Sequence, residues 1–148
     1  MKNKDPRKVL MDKQIQWKVY CLEDLFFYSL YDFKAYWDVI VLSDKKAIRK
    51  ILNGTGYDLS GYKLRITSNY LKHFYSRHFN EKDRTQRSFH FNDLKKLGEV
   101  VNNCWTANNI GVDSILFEKR FPTGIFQLVV EINDAKKLLV GKSFRIKT

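Results

Sequence analysis

The sequence predicts an α+β domain in which two helices pack on a four-stranded antiparallel sheet, with an additional mixed N-terminal layer. Three observations carry that expectation. Two central segments repeat apolar residues at helical spacing. Everything beyond Asn109 switches to runs of period two broken by Asn, Asp and Gly. With 44% hydrophobic and 15% aromatic side chains, 148 residues are enough to bury one core.

Taken in order, residues 1–16 read as a polar leader, 17–60 as an aromatic-rich extension with a strand and a short helix, and 61–148 as the core of the domain. Between Trp17 and Tyr36 periodicity does not decide between helix and irregular packing. AYWDVIVLS, Ala35 to Ser43, reads as a strand. Asp44 then caps the helix KKAIRKIL, whose Ala47, Ile48, Ile51 and Leu52 share one face, and Asn53, Gly54 and Gly56 end it. GYDLSGYKLRI is a loop leading into a short extended piece, after which Thr67 or Ser68 offers an N-cap.

On the helix that follows, Leu71, Phe74, Tyr75 and His78 fall at i, i+3, i+4 and i+7, so His78 lies with the apolar stripe. His73 points about 160° away from Leu71, alongside Tyr70 and Arg77. The charged stretch EKDRTQR connects to His90, which precedes a cap at Asn92 or Asp93. From Leu94, the positions Leu97, Val100, Val101 and Cys104 define a second amphipathic helix ending near Asn102 and Asn103. VDSILFEKR, PTGIFQLVVEI, AKKLLVGK and SFRIKT then read as four strands of an antiparallel meander. Their turns are expected at Pro122 to Gly124, Asn133-Asp134 and Gly141-Lys142.

A net charge of +11 favours a polyanionic partner, because each phosphate neutralised by Lys or Arg releases counterions. Residues 1–61 carry 11 Lys and Arg against 8 Asp and Glu, whereas residues 62–148 carry 16 against 8. The electrostatic footprint therefore belongs to the second half. Cys21 and Cys104 lack CxxC spacing and read as reduced thiols, the basic start has no apolar h-region behind it, and no apolar run reaches membrane-spanning length. A cytoplasmic protein without a membrane partner is expected.

Metal binding is disfavoured, since His73 and His78 at i, i+5 splay by about 140° on a helix and no HExxH or Cys cluster accompanies them. No GxSxG elbow supports Ser76 as a nucleophile, and neither a P-loop nor GxGxxG is present. What remains is phosphodiester cleavage by a neighbouring ribose 2′-OH, which needs a base, an acid and cations on the phosphoryl oxygens. His73, with Arg77 at i+4, is either an acid/base or an ordinary surface histidine. His78 is either a core histidine bonded to backbone or a catalyst. The helix dipole disfavours protonation of His90. Lys119, Arg120, Lys142, Arg145 and Lys147 cluster around strand ends, as phosphate contacts or as solvated charges. Tyr70, Phe89 and Trp105 are base-stacking platforms or core.

The run AIRKILNGTGYDLSGYKLRITSNYLKHFYSRHF, followed by a capped helix and terminal strands ending FRIKT, resembles the phage-borne barnase/EndoU/colicin/RelE-like nuclease domains from about Ile48 to Thr148. The lead-in Gly-Tyr-Asp-Leu-Ser-Gly-Tyr, Lys72-His73, His78 and the terminal strand with Thr148 carry the resemblance. It implies a two-helix, four-strand core and a metal-independent, cofactor-free endoribonuclease leaving a 2′,3′-cyclic phosphate. Carried over, His73 and His78 are the histidines of the first helix, and Lys147 with Thr148 are the cleft-lining residues of the terminal strand.

The expected catalytic set is thus His73, His78, Lys147 and Thr148. The expected substrate contacts are Lys72, Arg77, Lys119, Arg120, Lys142, Arg145 and Tyr70. RNA is the expected substrate, with tRNA and mRNA both open. An acidic immunity or antitoxin protein is an expected partner, because similar domains occur in phages, prophages and mobile elements, often as toxins. The chain stops at Thr148, where related sequences often continue, which leaves the completeness of the site open. Two rival readings stand beside this one: a non-catalytic nucleic-acid-binding module, and a protein-interaction domain of a mobile element whose basic face meets an acidic partner.

Overall fold

The computed structural model describes residues 17–31, 33–78 and 91–147, without the side chains of 75–78 and 91. The expected leader, the connection at 81–87, Phe89, His90 and Thr148 lie outside the described residues. In chain order the elements are β1 (Trp17–Val19), α1 (Leu22–Leu30), β2 (Ala35–Val41), α2 (Lys45–Thr55), β3 (Lys63–Thr67) and α3 (Ser68–His78). Then come α4 (Phe91–Leu94), α5 (Leu97–Asn102), β4 (Thr106–Gly111), β5 (Ser114–Phe121), β6 (Gly124–Asn133) and β7 (Leu138–Lys147).

The class is mixed α+β, and the layout differs from the expected two helices on four strands. One seven-stranded sheet runs β1-β2-β3-β7-β6-β5-β4, with β1–β2 and β3–β7 parallel and the rest antiparallel. The N-terminal strands are therefore part of the main sheet and not a separate layer. Parallel pairing of Arg65 with Val140 inserts β3 beside β7. No local sequence pattern announces such a non-local contact.

The strand count near the C-terminus also shifts. TANNIG, Thr106 to Gly111, forms β4 although it has no alternation, because it pairs with the apolar β5 (Ala107 opposite Phe117). AKKLLVGK and SFRIKT are one strand. Gly141-Lys142 is a bulge and not a turn: Val130 pairs with Gly141 while its neighbour Val129 pairs with Ser143, leaving Lys142 as the extra residue. Glycine fits because a Cβ at Gly141 would come within 2.6 Å of Ile66 Cδ1 on β3.

Two helices start where capping predicts. Asp44 Oδ1 accepts from the Lys46 and Ala47 N–H groups at 2.9 and 3.3 Å, and α2 runs past Asn53 and Gly54 to Thr55 before Gly56 closes it at φ 80°. Ala47 and Ile51 are buried on its inner face, whereas Leu52 is exposed. Thr67 Oγ1 accepts from the Tyr70 N–H at 3.1 Å at the start of α3. The second predicted helix is broken at Lys95-Lys96, and Asn92 and Asp93 lie inside the short α4 instead of capping a helix. Its apolar face is nonetheless as expected: Leu94, Leu97, Val100, Val101 and Cys104 are all buried.

α3 packs between α1 and β7, and α5 reaches from β2 to β5, so one face of the curled sheet is covered by helices. Phe126, Leu128, Val130 and Ile132 of β6 alternate into that core. The opposite face, helix-free among the described residues, carries polar rows, among them Thr106, Glu118, Gln127 and Arg145 on four successive strands. Gln127 Nε2 donates to Glu118 Oε2 at 2.9 Å. α2 covers the β4 edge, where Asn109 Nδ2 donates to the Thr55 carbonyl at 2.9 Å.

Candidate active site

Pairing between β3 and β7 stops at Arg65 and Val140. β3 then turns into α3 at Thr67-Ser68, while β7 runs on through its bulge to Lys147. The divergence opens a cleft of about 820 Å³, closed on a third side by the α1–β2 connection. Its wall contains Lys34, Lys72, His73 and Lys142, together with the first turn of α3, and no carboxylate among the described residues.

Ser68 holds this corner together. Its hydroxyl donates to the Phe33 carbonyl at 2.7 Å and accepts from the Ala35 N–H at 2.9 Å, tying the start of α3 to the start of β2. With both roles committed and the side chain buried, Ser68 is a clamp and not a nucleophile. The N-terminal end of α3, one of whose N–H groups Thr67 already caps, adds partial positive charge to the lysines, so the cleft suits an anion. Lys142 Nζ lies 3.5 Å from Glu131 Oε2, but both side chains are half-exposed. Such a contact is worth about 1 kcal/mol at most, so the ammonium can turn to a ligand at little cost.

His73 is exposed on α3, as its helical phase predicted, and so is its neighbour Lys72. Tyr70 is not. The sequence reading placed it outward with His73, yet it is buried, stacked on Phe74 at 6.0 Å between ring centroids. The reason is that α1 packs on α3 and widens the buried stripe beyond the one facing the sheet. Among the described residues the Tyr70 hydroxyl has no hydrogen-bond partner, and burial pushes its pKa up. Its ring is part of the cleft wall, with little surface left for a base to stack on.

Four of the expected site residues, Tyr70, Lys72, His73 and Lys142, therefore meet at one cleft. The side chains of Arg77 and His78, and all of Thr148, lie outside the described residues. Arg145 and Lys147 do not line the cleft. Phe144 and Ile146 point into the core, so alternation turns Arg145 and Lys147 to the helix-free face. Lys119 and Arg120 belong to a second hollow of about 370 Å³ with Lys50 and Trp105. Lys34 went unnoticed in the sequence because it sits alone in a connection, with no periodicity and no neighbour in the chain to mark it. Lys50 went unnoticed too, one of four basic residues in and around α2 with nothing in the sequence to single it out.

Among the described residues, no group of three His, Cys, Asp or Glu side chains is placed to hold a metal ion, and no helix is long and apolar enough to cross a membrane. A family model described as phage-Barnase-EndoU-ColicinE5/D-RelE like nuclease 3 matches residues 42–148, which spans the cleft from β3 to β7 and begins just before α2. Neither the curated proteins nor the solved structures yield a match.

Proposed function

The chain belongs to the phage-Barnase-EndoU-ColicinE5/D-RelE like nuclease family, and from that premise we propose that it is an endoribonuclease working by proton transfer without a metal. The observation that carries this reading is the company His73 keeps: a cleft with three lysines, a helix N-terminus and, among the described residues, no carboxylate. In the proposed reaction the phosphoryl oxygens rest on Lys72, Lys142 and the first turn of α3. His73 takes the proton of the ribose 2′-OH, O2′ attacks phosphorus, and the P–O5′ bond breaks.

The leaving O5′ takes up a proton, giving a 2′,3′-cyclic phosphate and a 5′-hydroxyl. His78, on the last turn of the same helix, is proposed as the counterpart that supplies this proton, and Arg77 as a further phosphate contact. Lys147 and Thr148 are proposed to hold the RNA beyond the scissile bond. An acidic inhibitor would compete for the same lysines, which makes the cleft the expected point of control.

The test is incubation of purified protein with RNA in the presence of a chelator, with end-group analysis of the products. Cyclic phosphate ends are expected, with a loss of about 10²-fold or more in His73→Ala. Intact RNA, or undiminished cleavage by His73→Ala, overturns the catalytic reading. Salt-dependent RNA binding without cleavage would select the non-catalytic binding module instead.

A further inference from the structure

At the far side of the sheet from His73, α5 ends against the start of β4, and Trp105 stands there 52% exposed. An exposed tryptophan leaves apolar surface in water that a stacked ligand could cover. The Arg120 guanidinium lies 5.8 Å from the centre of its ring. Lys50 Nζ donates to the Cys104 carbonyl at 3.0 Å, and Lys119 Nζ donates to the Asn103 carbonyl at 2.9 Å.

Those two lysines satisfy carbonyls left over at the end of α5, which is a sufficient structural reason for their presence. It does not account for Arg120 or for the exposed indole. Each ammonium also keeps two further donors. Among the described residues the wall of the hollow contains no acidic side chain, and nearby Glu118 is engaged by Gln127 on the opposite face of the sheet from the helices.

A basic path joins this hollow to the His73 cleft. Lys142, Arg145 and Lys147 follow one another along β7, a run of about 17 Å at the rise of a strand. Lys147 pairs with Ile125, and Ile125 with Arg120, which adds about 10 Å across two strand spacings. The combined reach exceeds a dinucleotide and falls among the about 4–16 nucleotides that single-strand sites cover.

We propose that the Trp105 hollow is a second binding site for the same RNA, in which an unpaired base stacks on the indole and its phosphates contact Arg120, Lys119 and Lys50. The inference rests on the endoribonuclease reading for the identity of the strand, and it assigns the substrate class as single-stranded RNA extending several nucleotides from the cut. A duplex cannot offer a base face to the indole, so paired RNA is bound without this site.

The test uses the full chain carrying His73→Ala, so that RNA survives the titration, and a 12-nucleotide oligoadenylate and its duplex with oligouridylate as probes. Added Trp105→Ala is expected to weaken single-strand binding about tenfold and to leave duplex binding unchanged, while Trp105→Phe retains most of the affinity. Arg120→Gln is expected to lower the slope of log K against log salt by about one phosphate contact. Equal single-strand affinity with and without Trp105→Ala, in protein whose thermal unfolding is unaltered, overturns the proposal. So does an equal loss for strand and duplex. Because the readout is binding in a His73→Ala background, failure of RNA cleavage by the unaltered chain is a separate result and refutes the nuclease reading alone.

Discussion

The guanidinium of Arg65 grips the carboxylate of Asp38, with Nε donating to Oδ1 at 2.7 Å and Nη2 to Oδ2 at 3.2 Å. This two-point contact locks β2 onto β3 on the helix-free face, and the same guanidinium lies 3.9 Å from the centre of the Tyr36 ring. Asp38 is nearly buried and Arg65 largely so. Asp38→Asn is expected to cost about 2 kcal/mol, since it leaves a partly desolvated cation short of its anion. Arg65→Lys keeps the charge but loses the fork and the stacking, for about 1 kcal/mol. Urea unfolding measures both, and unchanged midpoints would remove the pair from any account of how β2 is held.

Removal of the Ser68 hydroxyl strips the Ala35 N–H of its acceptor in a buried corner. Ser68→Ala is expected to destabilise the fold by about 1–2 kcal/mol. Hydrogen exchange gives the sharper reading: the Ala35 amide should exchange faster, while amides in the middle of β6 slow or quicken only with global stability. Protection at Ala35 equal to that in the unaltered chain would refute the clamp.

Tyr70→Phe should do the reverse of most core substitutions. The hydroxyl has no partner among the described residues, so its removal is expected to be neutral or to stabilise by about 1 kcal/mol. The pH dependence has a definite sign. Burial raises the folded-state pKa of Tyr70, whereas the unfolded chain releases the proton at the ordinary value of about 10. Below that pH both states keep it and stability is flat; above it only the unfolded state ionises, and stability falls as pH rises. Tyr70→Phe should flatten part of that alkaline decline. The remainder is expected from Tyr57 and Tyr62, whose pKa values are raised by hydrogen bonds to Asp113 and Asp134. A decline of the same steepness in Tyr70→Phe would assign the effect elsewhere.

Gly54 packs so tightly on β4 that an added Cβ would overlap the carbonyl oxygen of Ala107. Backbone cannot rotate out of the way as a side chain can. Gly54→Ala is therefore expected to cost about 2–3 kcal/mol despite the better helix propensity of alanine. At Gly98 the obstacles are methyl groups of the Ile40 and Val39 side chains, farther off and not backbone, and Gly98→Ala should cost less. Thermal unfolding of the two variants gives the order, and a smaller loss at Gly54 would contradict the contact.

Local chemistry was legible in the sequence where one element decided it alone. The Asp44 cap, the outward phase of His73, and the buried face from Leu94 to Cys104 all follow from spacing on a single helix. Properties created by two elements meeting were not. Tyr70 is buried because α1 covers α3, Lys34 reaches the cleft because Ser68 pins its connection, and β3 lies beside β7 across much of the chain. The second hollow had been read from its pieces, Lys119, Arg120 and Trp105, without any sign that they gather away from His73. Gly141-Lys142 misled for a different reason, since the same dipeptide chemistry serves a turn and a bulge.

That bulge separates the arithmetic of the sheet from the arithmetic of the sequence. Leu139 and Gly141 before it, and Phe144 and Ile146 after it, face the core whether or not Lys142 is counted, because Ser143 would take its place opposite Val129 with the alternation intact. Deleting Lys142 should thus leave the fold standing with a straighter β7 and empty the cleft of one ammonium, with stability and RNA affinity responding independently. Lys142 thus sets a cleft-lining cation on a residue that the register of the core does not need.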